Sequence, residues 1–293
     1  MEIRVLRYFL EIAREENMSR AAERLHVSQP TLSKQMKDLE QELGKKLFRR
    51  SSASIHLTDE GKLLRKRAED ILSMVDKTQE EFQSLTEVTG GDVHIGCAES
   101  VGMRHLARVI SCFQQRYPGF RYHLYSGDTE PIAERLDRGL LDFGVIAEPP
   151  DLSRCHAIEL PEKDLWGAVL RRDHPLSAKS CITPEDLSGV PLLCSRQALK
   201  ADIPRWCREK ADHLNVTGSL NLSFNGGVFA AEGLGIVLTF KGILNTGPES
   251  PLCFRPLQPS LETSLYFIWR RYQVFSPIAE RFLEAVQDAF PGR

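Results

Sequence analysis

The chain has 293 residues, 42% hydrophobic and 27% charged, which is ordinary globular usage with room for about two domains of ~150 residues. No run approaches the ~18 uninterrupted apolar residues of a membrane span. The first apolar residues (Ile3, Leu6, Phe9, Leu10, Ile12, Ala13) recur at helical spacing among charges, unlike the continuous core of a signal peptide, so the reading is a cytoplasmic protein with no membrane partner. The formal net charge of −2 gives no whole-chain sign of nucleic acid, but its distribution is uneven. Residues 1–65 carry 13 Lys and Arg against 10 acids, and the remainder carries 25 against 30. Seven scattered cysteines, without a C-x-x-C pair or neighbouring histidine spacing, read as buried thiols rather than a disulfide framework or a metal site.

Residues 3–58 read as short helices followed by a small hairpin. In residues 18–25, Ser19 stands at a helix start and Ala21 and Ala22 allow close packing; His26-Val27 is the stop. Ser28 then suits the N-cap of the next helix, and Pro30 falls in its first turn, where a missing N–H costs little. At 100° per residue, Leu32, Met36, Leu39 and Leu43 form one face of that helix. Gln29, Pro30, Ser33, Lys34 and Lys37 form the other. That polar face suits DNA, because Gln bonds adenine bidentately, Ser reaches either kind of base, and Lys suits guanine or phosphate. A merely soluble helical hairpin would show the same spacing. The residues after the helix separate the two: Gly44 ends it, and Lys45, Lys46, Arg49 and Arg50 place four cations within six residues. A Ser51-Ser52-Ala53-Ser54 turn then leads into Ile55-His56-Leu57, making a β-hairpin wing with a basic base suited to phosphates.

At these residues the sequence resembles the LysR-type transcriptional regulators. The matching positions are Leu6-x-x-Phe9-Leu10, Ser19-Arg20-Ala21-Ala22, Leu25-His26-Val27-Ser28-Gln29-Pro30, Leu32-Ser33, Leu39-Glu40-x-x-Leu43-Gly44, Leu47-Phe48-x-Arg50 and Leu57-Thr58-x-x-Gly61. The resemblance implies a winged helix-turn-helix over 1–58 on double-stranded promoter DNA, with Gln29, Pro30, Ser33 and Lys34 facing the groove; Thr31 is a further DNA-binding candidate, and Lys37 and Arg50 are better placed for phosphates. Two positions depart from the family's pattern. Lys34 stands where Arg is common, which gives a monodentate contact, and the wing tip is Ser52-Ala53 rather than cationic.

Thr58 begins a helix with Asp59 and Glu60 in its first turn, where acids complement the helix dipole. Leu64, Ala68, Ile71, Val75, Thr78, Phe82 and Leu85 come next at alternating steps of four and three, a 3.5-residue seam that suits a partner helix. The segment 59–89 therefore reads as a linker and dimerisation helix, making a homodimer through residues 64–85. By resemblance, such dimers assemble into a homotetramer.

From residue 90 onward, apolar runs at 93–97, 120–125, 141–147, 165–170, 235–240 and 264–269 alternate with amphipathic helices, the pattern of an α/β domain. The prolines at 248, 251, 256 and 259 mark an irregular loop region. Residues 90–293 resemble the family's effector-binding portion, which looks like a type 2 periplasmic binding protein. The implied lobes are 92–161 with 267–293, and 162–266, around a cleft. Helix N-termini with hydroxyl side chains suit a small anionic effector. Ser100 and Thr129 match effector positions of the family, and Val101, Ser195 and Asn225 are further candidates, the last before a Gly226-Gly227 turn. Plain N-capping accounts for Ser100 and Thr129 equally well, and both roles can hold together. Cys194 and Cys207 are read as buried thiols in preference to a redox pair.

The fold class is thus α+β: a winged helix-turn-helix, a long linker helix and a two-lobed α/β effector domain. With no nucleophile–base pair, metal set or nucleotide loop, the reading is not an enzyme and has no cofactor. It is a DNA-binding regulator whose effector reorients its lobes and so alters DNA bend and access of RNA polymerase.

Overall fold

The computed structural model describes residues 1–50, 55–83, 90–147, 151–208 and 214–291. The chain divides into two compact units, Met1–Gln83 and Ser84–Arg293. The wing tip at Ser52-Ala53, Leu85, and the side chains of Arg50 and Phe82 lie outside the described residues.

In the first unit, α1 (Ile3–Glu15) buries Val5, Leu6, Phe9 and Ile12. The side chain of Asn17 accepts the Ser19 and Arg20 amides at 3.0 and 3.1 Å and caps α2 (Met18–Arg24). Asn17 rather than Ser19 is therefore the cap, because its extended backbone brings the amide oxygen to both free N–H groups, while Ser19 is already helical. Ser28 caps α3 (Gln29–Leu43), accepting the Thr31 amide at 3.3 Å. Leu32, Met36 and Leu39 are buried as expected, but Leu43 is exposed. It occupies the last turn, where Gly44 (φ 65°) turns the chain outward and Leu47 closes the core instead.

The short wing strands β1 (Phe48–Arg50) and β2 (Ile55–Leu57) pair antiparallel, Phe48 opposite Leu57. They are anchored to α3 by Glu40, which is nearly enclosed. Its Oε1 accepts the Leu47 and Phe48 amides at 2.8 and 3.3 Å, and its Oε2 takes the Lys46 ammonium at 2.8 Å. Thr58 completes the junction, donating to the Lys46 carbonyl at 2.7 Å and accepting the Gly61 amide at 3.0 Å. It thereby starts α4 (Asp59–Gln83). A Cβ on Gly61 would lie 2.2 Å from the Leu47 carbonyl oxygen, so this crossing requires glycine.

The seam on α4 is divided. Ala68 is buried, with Leu64 and Ile71 packed beside it, in the same core as α1; Leu72, outside the seam, is buried there too. Arg7 and Asp76 add an ion pair at 2.7 Å. The first half of the stripe therefore covers the protein's own head, since α1 lies along it. Farther along, Val75 is half-buried and Thr78 exposed.

In the second unit, β3 (Gly90–Cys97) pairs in parallel with β4 (Gly119–Ser126) and β5 (Phe143–Ile146). Around them lie α5 (Arg104–Arg116), α6 (Thr129–Asp137) and, from the end of the chain, a helix spanning Pro277–Ala289. The 17-residue strand β6 (Cys155–Arg171) leaves this lobe and enters a second one. That lobe contains β7 (Pro191–Ser195), α7 (Arg196–Lys200), α8 (Asp202–Cys207), β8 (Asn215–Leu220), α9 (Ser223–Ala231), β9 (Ile236–Phe240) and β10 (Leu252–Pro256). The return strand β11 (Glu262–Arg270) pairs with β5 and β6, and the closing helix Pro277–Ala289 is α10.

Strands β7, β8 and β9 are parallel, whereas β6, β10 and β11 pair antiparallel. Strand β6 exchanges β11 for β9 between Leu165 and Trp166, a few residues beyond the expected boundary because one strand runs straight through it. Two expectations fail in this lobe. The proline-marked loop contains β10, an edge strand whose prolines lie at or outside its ends. The Asn225-Gly226-Gly227 turn is instead inside α9. Those glycines are there for contact, since a Cβ at either would meet Leu220 or Leu244 within 2.8 Å.

Candidate DNA-reading face and effector cleft

On α3, Gln29, Pro30, Thr31, Lys34 and Lys37 are exposed and Ser33 is half-buried, opposite the anchored Leu32, Met36 and Leu39. The Ser28 cap fixes the first turn, with its hydroxyl 2.7 Å from that of Thr31. Of the four cations after Gly44, Lys46 is engaged by Glu40. Burial alone would raise the Glu40 carboxyl, but the Lys46 ammonium and the two backbone amides outweigh it and hold the group below the usual glutamate value.

Between the lobes lies a narrow cleft of about 60 Å³, walled by Glu99 and Asp128 from one side and Ser195, Gln197 and Ser223 from the other. A wider groove adjoins it, bordered by Asp128, Thr129, Arg196, Gln197 and Lys200. Of the sequence candidates, Ser195 lines the cleft while capping α7 through the Ala198 amide at 3.1 Å. Thr129 borders the groove, its hydroxyl buried without a hydrogen-bond partner. Ser100 caps a short turn through the Gly102 amide at 2.8 Å and sits beside Asp164. Val101 packs towards Gly242, leaving no room for a Cβ there. Asn225 is exposed on α9 and outside the cleft lining, because the helix that replaces the expected turn carries it away.

Sequence reasoning missed Glu99, Asp128, Gln197, Asp202 and Ser223. All but Asp202 are within two residues of a named candidate, so the loops were found and the individual side chains were not. Asp128 occupies the N-cap position of α6 without accepting a capping bond. Burial raises its carboxyl, against the pull of Arg196 and Lys200. Asp202 is engaged by Arg205 at 2.9 Å and Thr263 at 3.1 Å, and Thr263 also takes the Trp166 indole N–H at 2.8 Å.

Behind this network Asp164 is buried on β6 with Oδ2 unpaired. Burial pushes it up to about 6; the Ser100 hydroxyl pulls it down and Glu162 adds to the rise. A carboxyl raised on folding destabilises the fold once ionised. Asp164→Asn is therefore expected to gain about 1–3 kcal/mol at pH 7.5. The gain disappears as the pH falls through 6 towards 4, which paired thermal melts will read. Cys194 and Cys207 are both buried, and burial pushes their thiols up to about 12 and about 11. Neither is then the thiolate that peroxide chemistry requires.

The model of the bacterial regulatory helix-turn-helix protein, lysR family, matches residues 3–62, and that of the LysR substrate binding domain matches residues 86–291. The chain is 29% identical over 298 residues to the HTH-type transcriptional regulator BudR of Raoultella terrigena, covering 97% of this chain and 99% of that one. It is 27% identical over 295 residues to the HTH-type transcriptional regulator YybE of Bacillus subtilis, covering 99% of each. Its fold matches the crystal structure of full-length CbnR complexed with target DNA, with a TM-score of 0.76 at 20% identity over 99% of this chain and 100% of that one. With both family models matched in order along one chain, the protein belongs to the LysR family of transcriptional regulators.

Proposed function

We propose that this regulator reads promoter DNA with Gln29, Pro30, Thr31, Ser33 and Lys34, and holds phosphates with Lys37 and Arg50. The observation that carries the reading is the two-sided α3: its apolar side is locked into the head, and Gln29, Thr31, Lys34 and Lys37 are left exposed. The structural neighbour CbnR was solved with its target DNA. Lys34→Ala is expected to cost about 1 kcal/mol per head, the low end of the range for a bidentate pair because Lys makes a single contact, and to relax base preference at one position. Lys37→Ala weakens all sequences alike and lowers the salt slope by about 1 per head. Fluorescence anisotropy on the protein's own upstream DNA at several salt concentrations checks both, and a parent chain that shows no specific complex overturns the reading.

The effector of this reading is a small molecule with an acid group, bound where the cleft meets its groove, beside Thr129 and Ser195. Arg196 and Lys200 border that groove and offset Asp128 and Glu130 there, whereas the inner wall carries Glu99, Asp128 and Asp202 with no cation among the described residues. The acid group therefore stays at the mouth and hydrogen-bond donors point inward. A thermal-shift screen of the full chain in which no carboxylic acid stabilises the protein would sink this assignment. The head dimerises through the part of α4 beyond Leu72, pairs of dimers form a tetramer, and effector binding changes the angle between heads and so the access of RNA polymerase. Sedimentation equilibrium finding a monomer at micromolar concentration would exclude that assembly.

A further inference from the structure

Among the described residues, two backbone amides donate across the cleft in opposite directions. The Gln197 side-chain oxygen, from the second lobe, accepts the Thr129 amide at 2.8 Å, which is the first N–H of α6 in the first lobe. The Glu99 carboxylate, from the first lobe, accepts the Ser223 amide, which is the first N–H of α9 in the second lobe. Each helix has nine residues, and each begins without a side-chain cap of its own: Asp128 precedes α6 and Leu222 precedes α9, neither accepting a capping bond. Each lobe thus supplies the acceptor that the other lobe's helix lacks. A third contact, Lys200 to Glu130 at 3.5 Å, also spans the lobes but is largely exposed and contributes little.

We infer that Glu99 and Gln197 are reciprocal built-in occupants of the cleft, holding the lobes together without effector and determining which end of the cleft an effector's acid group can take. The ligand part of this inference rests on the cleft being the effector site. The two occupants differ in charge. At α9 the position is already held by a carboxylate, the strongest partner a helix N-terminus offers. An incoming acid gains nothing there and meets like charge. At α6 the occupant is a neutral amide. Asp128 and Glu130 also border this end, but Arg196 and Lys200 stand against them. An acid that displaces Gln197 thus exchanges a neutral acceptor for an anion beside two cations, with the unpaired Thr129 hydroxyl as a further donor. Effector binding at α6 therefore releases Gln197, removes one of the two crossing bonds, and loosens the lobes as it fills the site.

The test needs no effector. Amide hydrogen exchange is measured on the full chain for the parent, Gln197→Ala and Gln197→Glu, at Thr129 and Ser223. If both bonds report one closure equilibrium, Gln197→Ala speeds exchange roughly three- to tenfold at Thr129 and also at Ser223, which Gln197 does not touch. Gln197→Glu keeps an acceptor at α6 and leaves Ser223 as protected as in the parent. Acceleration confined to Thr129, acceleration at neither amide, or equal acceleration at Ser223 by both variants overturns the inference. These outcomes are independent of the carboxylic-acid screen, so a failed latch and a failed effector assignment are told apart.

Discussion

Gly61→Ala is expected to cost about 2–4 kcal/mol of stability in the DNA-binding head, although alanine ordinarily gains about 1 kcal/mol over glycine inside a helix. The reason is distance. The added methyl would stand 2.2 Å from the Leu47 carbonyl oxygen and 3.0 Å from the Leu57 side chain. Leu47 cannot retreat, because its amide is held by Glu40 and its carbonyl accepts the Thr58 amide at 2.9 Å. Relief requires α4 to move away from the wing, breaking the Thr58 bonds to Lys46 and Gly61. Gly44→Ala makes the control. That residue has φ 65° and open space around its Cβ direction, so only backbone strain of about 1 kcal/mol applies. Urea unfolding of both variants should rank them in this order, with specific DNA binding lost in parallel for Gly61→Ala.

Glu40→Ala should destabilise the head by about 1–3 kcal/mol at neutral pH, since it strands two part-buried backbone amides and also removes the charge partner of the exposed Lys46. Glu40→Gln keeps an acceptor for the amides but loses the Lys46 charge pair, and falls between parent and alanine. The pH dependence has a definite sign. The folded carboxyl titrates below its ordinary value of 4.5, so its contribution is complete above about pH 4.5 and is lost as pH falls through the lower folded value. The difference between parent and Glu40→Ala should therefore shrink in acid. A difference that stays constant from pH 7 to pH 3 would show that packing, and not the charge, is what Glu40 supplies.

The head was the most legible part of the chain, because its signals are local. A cap, a 3.6-residue period and a C-terminal glycine each act within a few residues, and Ser28, Leu32, Met36 and Gly44 all serve as the spacing implied. The exceptions lie at element ends. Ser19 lost the cap to Asn17 two residues earlier, and Leu43 lost its burial to Leu47 across the turn. The α4 seam shows another limit: its period is real, but period alone does not say which helix it faces, and α1 of the same chain takes the first half. Two of the loops named from the sequence, at Thr129 and Ser195, do line the cleft or its groove. Sequence could not find Gln197 or Glu99, whose partners are 68 and 124 residues away. It misplaced Asn225 because a Gly-Gly pair reads as a turn when it can equally be a helix face pressed against leucine.

The junction at Lys46 and Leu47 has a mechanical consequence. Helix α3 reaches that short stretch of backbone through Glu40, the wing begins there, and α4 is tied to it by Thr58 and the bare Gly61. These contacts tie α3 and α4 to one stretch of backbone, which couples a tilt of one to the other. The 25-residue α4 measures about 37 Å at 1.5 Å per residue. A tilt of about 5° then displaces one end against the other by about 3 Å, the length of a single hydrogen bond. In the proposed reading, a change of angle too small to disturb any fold is thus enough to move a base-reading side chain out of register, and for a dimer the spacing between two half-sites on DNA would measure that angle.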